Sequence, residues 1–341
     1  GLARAGKIRR FGFITTNSLR QTFNRRVVQY HLGAKPPLSL LFAIPDHRWV
    51  DPSETDEKKA AVRIAMTVGA VGEHKGEFLT ISDEQPQDSG EARVILRAAH
   101  GRIRSDLTVG VNVPGAVPLK ANGGLSVNGV MLAGRGFIVT LDEAKSLGFG
   151  KIDGLDKQFR PIRNGRYLTD GPRDLWGIDL LGLSAEEVRE KFPNTYGHLL
   201  ATVKPERDLN ARAKLKKDWW LFGEPRKTLR AATKGLNRYI ATVETAKHRI
   251  FQFLDVAILP EHKLVAITTE DAFHLGVLSS RIHVIYALAS GSTLEDRPVY
   301  PASRCFQTFP FPDCTEKQKA RIRKIAEELD AHRKRAQSQH G

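Results

Sequence analysis

Phe11-Gly-Phe-Ile-Thr-Thr-Asn-Ser18 joins a short apolar run, rich in aromatic and β-branched residues, to a cluster of side chains that cap helices and close turns. The run reads as a buried strand, and the cluster marks the entry to a helix. That helical pattern extends to about Leu32 and stops at Gly33 and the Pro36-Pro37 pair. Residues 38–44 and 60–68 are two further apolar strands, and the polar loop between them, residues 45–59, contains Trp49. The order strand, helix, strand, loop, strand predicts the tail of an α/β sheet whose last two strands are antiparallel. Upstream of this stretch the chain opens Gly-Leu-Ala-Arg-Ala-Gly-Lys, without Met, and runs directly into the strand pattern. It reads as a chain cut inside a domain.

Downstream, residues 73–92 are polar and acidic and read as a hairpin or linker, which places a domain boundary there. Residues 1–75 are then the incomplete sheet, 76–92 the linker, 93–312 a mixed α+β domain, and 313–341 a basic C-terminal helix. Thr140-Leu-Asp-Glu143 and Ser184-Ala-Glu-Glu187 are capping boxes, and Gly148 ends the first of their helices. Residues 205–238 are strongly basic, with Leu229, Ala232, Leu236 and Ile240 at helical spacing. Residues 254–260 and 264–268 read as a strand pair around Glu261-His262. Residues 275–289 read as one helix with Leu278, Ile282, Ile285 and Leu288 on its apolar face. Thr315-Glu-Lys-Gln318 caps the last helix, which carries Ile322, Ile325 and Leu329 on one face.

Lys and Arg number 53 against 38 acidic residues in 341, a net charge of +15. A domain this basic is expected to meet a polyanion, most often nucleic acid, although a basic surface also serves solubility. No apolar run approaches the roughly 18 residues that span a bilayer, so no membrane is expected. Cys305 and Cys314 fit no zinc pattern, no metal site is expected, and two unpaired thiols suit a reducing cytoplasm. His248, His274 and His283 lie on different elements and form no triad. No nuclease carboxylate cluster is visible, so hydrolase chemistry has no support.

Two sets of motifs carry a resemblance. Phe11–Ser18, Pro45-Asp-His-Arg-Trp-Val50 and Ala60-Ala-Val-Arg-Ile64 resemble the fifth, sixth and seventh strands of adenine-N6 DNA methyltransferases. Arg160-Pro-Ile-Arg-Asn-Gly165, Trp176-Gly-Ile-Asp179, Lys204-Pro-Glu-Arg207, Trp219-Trp220, Gly276-Val-Leu-Ser-Ser-Arg-Ile-His283 and Thr308-Phe-Pro-Phe-Pro312 follow in order. This series is similar to the target-recognition region of large single-chain methyltransferases of the MmeI-like type. The resemblance implies the C-terminal portion of a Rossmann-like methyltransferase sheet, then a target-recognition domain and a C-terminal helix. It implies sequence-specific binding of double-stranded DNA within an enzyme of a restriction-modification or phage-defence system, with an associated nuclease or defence subunit as a further partner. The parent would use S-adenosylmethionine. The family's Asn-Pro-Pro-Tyr or Phe tetrapeptide and Gly-rich cofactor loop are not in this sequence, so the chain alone is expected to bind no cofactor and transfer no methyl group. The alternative is a specificity or defence subunit that only binds DNA.

Site residues follow from the resemblance and from chemistry. Trp49 lies in the inter-strand loop where the family stacks an aromatic ring on the extruded base; packing of its loop onto the sheet is the alternative. Glu295 and Arg297 fall in the segment that resembles the family's base-reading region. Arg can donate two hydrogen bonds to guanine, Glu can accept from cytosine, and two residues apart on an extended segment they point the same way. Without the resemblance they read as an exposed ion pair. Arg226, Lys227, Arg230, Lys247, Arg249 and Arg281 are candidates to neutralise phosphates, with a solvated surface charge as the alternative for each. Trp219 and Trp220 are expected in the core.

Overall fold

The computed structural model describes residues 1–21, 24–49, 62–86, 92–110, 113–171, 174–294 and 297–340. The opening apolar run forms β1 (Phe11–Thr16), followed by a 3-10 turn over Asn17–Arg20 and α1 (Arg25–Gly33). Then come β2 (Leu38–Arg48), β3 (Arg63–Val71), β4 (Gly76–Pro86) and β5 (Ala92–Gly101). These five strands make one sheet in the order β1-β3-β2-β4-β5. β3 is antiparallel to both β1 and β2, so β1 and β2 run the same way with the later strand between them. Leu19, Val28 and Leu32 pack onto Leu40, Ala43, Ala65, Phe78 and Ile103, which gives α1 its buried stripe at i, i+4 spacing.

Two expectations for this region change. β2 continues past residue 44 to Arg48, and its pairing with β3 shifts register between Ile44 and His47, where Pro45 would otherwise interrupt the ladder. Residues 76–86 belong to the sheet: β4 runs parallel to β2 and antiparallel to β5. Its acidic residues read as linker because their partner is remote. Arg63 Nε meets Asp46 Oδ1 at 2.6 Å and its Nη2 meets Glu84 Oε1 at 2.9 Å, which ties β2, β3 and β4 together. The chain divides into Gly1–Gly115 and Ala116–Gly341, a boundary later than 76–92.

The second unit begins with β6 (Ser126–Asn128), β7 (Ile138–Thr140), α2 (Leu141–Ser146), β8 (Phe159–Arg163), α3 (Gly165–Thr169) and β9 (Leu175–Ile178). A helical run follows: α4 (Ala185–Lys191), α5 (Pro193–Thr202), α6 (Lys204–Asp208), α7 (Ala213–Lys217) and α8 (Lys227–Ala232). Both expected capping boxes are present, at Thr140/Glu143 and Ser184/Glu187, and Gly148 has the positive φ (108°) of a helix C-terminal glycine. The chain then forms β10 (Arg238–Val243), β11 (Phe251–Asp255), β12 (Leu259–Pro260), β13 (Leu264–Ile267), α9 (Ala272–Leu278) and α10 (Arg281–Ser290). It closes with β14 (Ser292–Leu294), β15 (Arg297–Val299), α11 (Ala302–Cys305) and α12 (Glu316–His340). The sheets are β11-β10-β13-β6, β12-β8-β9-β7, and the two-stranded β14-β15.

Several helical periods of the sequence are broken in the fold. The basic stretch 205–238 holds short helices: α8 ends at Ala232, Gly235 takes φ 85°, and Ile240 is buried inside β10, where strands pair on both sides. Residues 254–260 and 264–268 do not pair with each other; β12 runs parallel to β8, and β13 pairs with β10 and β6. Residues 275–289 bend by 63° at Ser279-Ser280, where Ser280 accepts a hydrogen bond from His283 N and starts a new helix. Leu278 is buried, whereas Ile282, Ile285 and Leu288 are 75%, 56% and 58% exposed. On α12 the residues turned inward are Ala326, beside Ile322, and Asp330, while Ile325 is exposed. The C-terminal helix packs on α9 as part of the second unit.

Candidate nucleic-acid interface

The segment expected to read bases forms a hairpin. β14 and β15 pair antiparallel, with Ser292 opposite Val299 and Leu294 opposite Arg297. Glu295 lies outside the described residues. Leu294 and Arg297 are both exposed.

Buried groups hold this hairpin in place. Tyr300 N donates to Glu244 O at 2.7 Å, and Ala246 N donates to Pro298 O at 3.1 Å. The Tyr300 hydroxyl lies 2.9 Å from His283 Nε2, and both residues are buried. Arg249 lies over the Tyr300 ring at 4.8 Å and bonds Thr242 Oγ1 at 3.2 Å, Pro298 O at 3.4 Å and the carbonyl of Val243. Gly291 starts the hairpin so close to it that a Cβ there would lie 2.5 Å from Val299 O. Burial pushes the His283 pKa down to about 3, with Arg249 adding to the effect, so the ring is neutral.

Two grooves flank the hairpin. One, of about 530 Å³, is lined by Asn164, Arg166, Thr245, Glu261, Lys263 and Arg297 among others. The other, of about 380 Å³, runs along Lys247, His248, Arg249, Leu288, Pro298 and Tyr300. Grooves lined with donors and flanked by cations suit a polyanion whose edges carry acceptors.

The phosphate candidates divide by their partners. Lys227, Lys247 and Arg281 are exposed. Arg249 belongs to the support of the hairpin, and burial holds its pKa below the ordinary guanidinium value. Arg226 pairs with Glu224 at 2.7 Å and donates to Gly129 O at 3.3 Å. Arg230 pairs with the buried Asp179 at 2.6 Å and donates to Pro225 O at 3.1 Å. Trp219 is buried in the core, and Trp220 donates its ring N–H to Leu183 O at 2.9 Å.

In the first unit, Trp49 follows the last residue of β2. Its N donates to Val62 O at 2.8 Å and the residue is 42% exposed. The loop after it lies outside the described residues. Among the described residues no group of three or more His, Cys, Asp or Glu side chains is placed to hold a metal ion. No single helix among them is long and apolar enough to cross a membrane.

The sequence signals missed the supports of the site. His283, Tyr300 and Arg249 come from α10, the end of β15 and the loop before β11, and no local spacing links them. The hairpin and its two grooves lie within or beside one matched segment. Residues 200–313 match the MmeI target recognition domain. The solved type IIL restriction-modification enzyme MmeI, in complex with DNA, is similar over 96% of this chain at a TM-score of 0.69 and 20% identity. At that identity the likeness establishes the fold: several mixed sheets and a C-terminal helix. This chain covers 42% of the MmeI chain. The type IIG restriction endonuclease BpuSI aligns over 94% of this chain and 42% of its own, at 10% identity and a TM-score of 0.31. No curated protein matches this chain.

Proposed function

We infer that this chain is the DNA-reading, C-terminal part of a site-specific DNA methyltransferase of restriction-modification type, whose full-length form acts on N6 of adenine. The carrying observation is that β14–β15, with exposed Arg297 between two grooves, falls within residues that match a target recognition domain. A guanidinium there can read guanine by two hydrogen bonds, and Glu295 adds an acceptor for cytosine. Lys227, Lys247 and Arg281 supply sequence-independent attraction to phosphates, consistent with the net charge of +15.

The first unit supports the methyltransferase half of the reading. β2 and β3 pair antiparallel, as the resemblance implies for its sixth and seventh strands, but β4 and β5 continue the sheet beyond β2, so the pair is not its edge. β1 ends the sheet, and Phe13, Ile14, Val27 and Tyr30 are exposed at 58–72%. Trp49 stands exposed just after β2, where stacking on an extruded adenine is proposed for it. The Gly148–Gly150 turn does not suit a cofactor loop for S-adenosylmethionine, because it follows a helix and such a loop requires a strand before it. Methyl transfer is therefore assigned to the full-length protein.

Selection of binding sites from a random duplex pool by this chain tests the reading, paired with single-molecule sequencing of DNA from cells expressing the full-length protein. The selected motif is expected to equal a motif carrying N6-methyladenine, and exchanging Glu295 and Arg297 is expected to change one base pair of it. A pool without an enriched motif would overturn DNA readout. An enriched but unmethylated motif would make the full-length protein a binding subunit.

A further inference from the structure

Away from the hairpin, a groove of about 660 Å³ is lined by Lys157, Phe159, Arg160, Trp176, Asp179 and Arg230 among others. It shares no lining residue with the two grooves beside β14–β15. Three cations meet two carboxylates here, and the carboxylates are already engaged. Asp156 Oδ1 accepts from Gly150 N at 2.7 Å. Asp179, 5% exposed, accepts from Arg230 Nη1 at 2.6 Å.

Both arginines are fixed by backbone carbonyls. Arg160 donates through Nε to Ala257 O at 3.0 Å and through Nη2 to Val256 O at 2.6 Å. Arg230 donates through Nε to Pro225 O, while its Nη2 is buried and has no hydrogen-bond partner. The two guanidiniums also repel: burial lowers the Arg160 pKa, Asp179 opposes that, and Arg230 lowers it further. Two part-buried cations, of which Arg230 is paired with a carboxylate and Arg160 donates to backbone carbonyls, together with a donor left unsatisfied, make a site short of an anion.

We propose that this groove binds a phosphate group, held by Arg160, Arg230 and Lys157. Guanidinium forks match phosphate oxygens in geometry and charge, and the Lys157 ammonium adds a mobile point charge at the rim. Trp176, on β9, offers a flat wall for an attached sugar or base. The phosphate comes either from a DNA backbone or from a free nucleotide. The site's own chemistry carries the assignment, which does not rest on the reading of the hairpin.

Calorimetric titration of the chain with inorganic phosphate and with adenosine monophosphate, at constant ionic strength set with sodium chloride, tests this. Saturable binding is expected, weakened at least tenfold in Lys157→Glu, which alters an exposed side chain, and in Arg230→Lys, which keeps a cation opposite Asp179. Thermal melting verifies that each variant is folded. If the source is a DNA backbone, phosphate competes with duplex DNA, and Lys157→Glu lowers the slope of log affinity against log salt by about one. If the source is a free nucleotide, that slope is unchanged while adenosine monophosphate binding is lost. Absence of saturable phosphate and nucleotide binding, together with an unchanged DNA slope in folded Lys157→Glu, overturns the proposal. Failure of the wild-type chain to bind DNA would leave the phosphate titration intact and would count against the hairpin reading alone.

Discussion

His283 is buried, with Nε2 against the Tyr300 hydroxyl, and its pKa is pushed down to about 3. An unfolded histidine titrates near 6.5, so between that value and about 3 the unfolded chain holds the extra proton. Stability therefore falls as pH drops through this window, by at most about 1.4 kcal/mol per pH unit from this group. Urea unfolding at pH 7 and pH 4 should show that loss, and His283→Gln should flatten it. Arg207 is a second buried residue that holds backbone together, since its guanidinium donates to Leu132 O at 2.9 Å and Leu221 O at 3.0 Å. Arg207→Ala is expected to destabilise the second unit by more than about 2 kcal/mol, measured by the same unfolding curves. Arg297 is exposed, so Arg297→Ala should leave the melting temperature unchanged while removing about 1–3 kcal/mol of discrimination at one base pair. Residue types alone do not separate such cases. Arg230, Arg249 and Arg297 are equally basic in the sequence, and only their places in the fold separate an ion pair with Asp179, a support for Tyr300 and an exposed residue at the rim of a groove.

Between elements, α9 and α12 are joined by an ion pair at the start of α9. Asp271 accepts from Phe273 N as the helix cap and from two nitrogens of Arg323 at 2.8 and 2.9 Å. The Arg323 bonds hold the pKa of the Asp271 carboxyl at about 2. A depressed carboxylate contributes stability above its unfolded pKa near 3.9 and loses it as pH falls toward 2. The pair is partly exposed, so the contribution is small. Arg323→Met should shrink the loss of stability between pH 4 and pH 2. The hairpin depends on Gly291 in a different way, through the approach of Val299 O to the missing Cβ. Gly291→Ala is expected to shift β14–β15 and broaden site preference in the binding selection while the chain stays folded. Ser280 shows why periodicity misread this region: the cap it forms starts a second helix and turns Ile282 and Ile285 outward.

For the whole chain, a charge of +15 sets the kind of partner without naming its sequence. Binding to duplex DNA is expected to weaken steeply with salt, with a log–log slope of roughly −0.9 for each phosphate neutralised. Fluorescence anisotropy from low to high salt checks this, and a flat response would refute the interface. The β1 edge of the first sheet, with Phe13 and Ile14 exposed, predicts self-association of this chain through β1. Sedimentation should detect it, and a charged substitution at Phe13 should abolish it.

The sequence by itself determined the strand–helix–strand beginning, the three Ser/Thr caps at Thr140, Ser184 and Thr315, the basic character and the family resemblance, because these are local patterns or sums over composition. It also placed motifs of the target-recognition kind in the region that matches that domain. Only the tertiary structure decided that residues 76–86 join the first sheet, that 275–289 bend, and that Leu294 faces Arg297 across a hairpin. It alone brought Arg160, Asp179 and Arg230 to one groove. The reason is physical: a salt bridge from Arg63 to Glu84, or a tyrosine hydroxyl against His283, acts between groups that are distant in sequence and leaves no periodic trace along the chain.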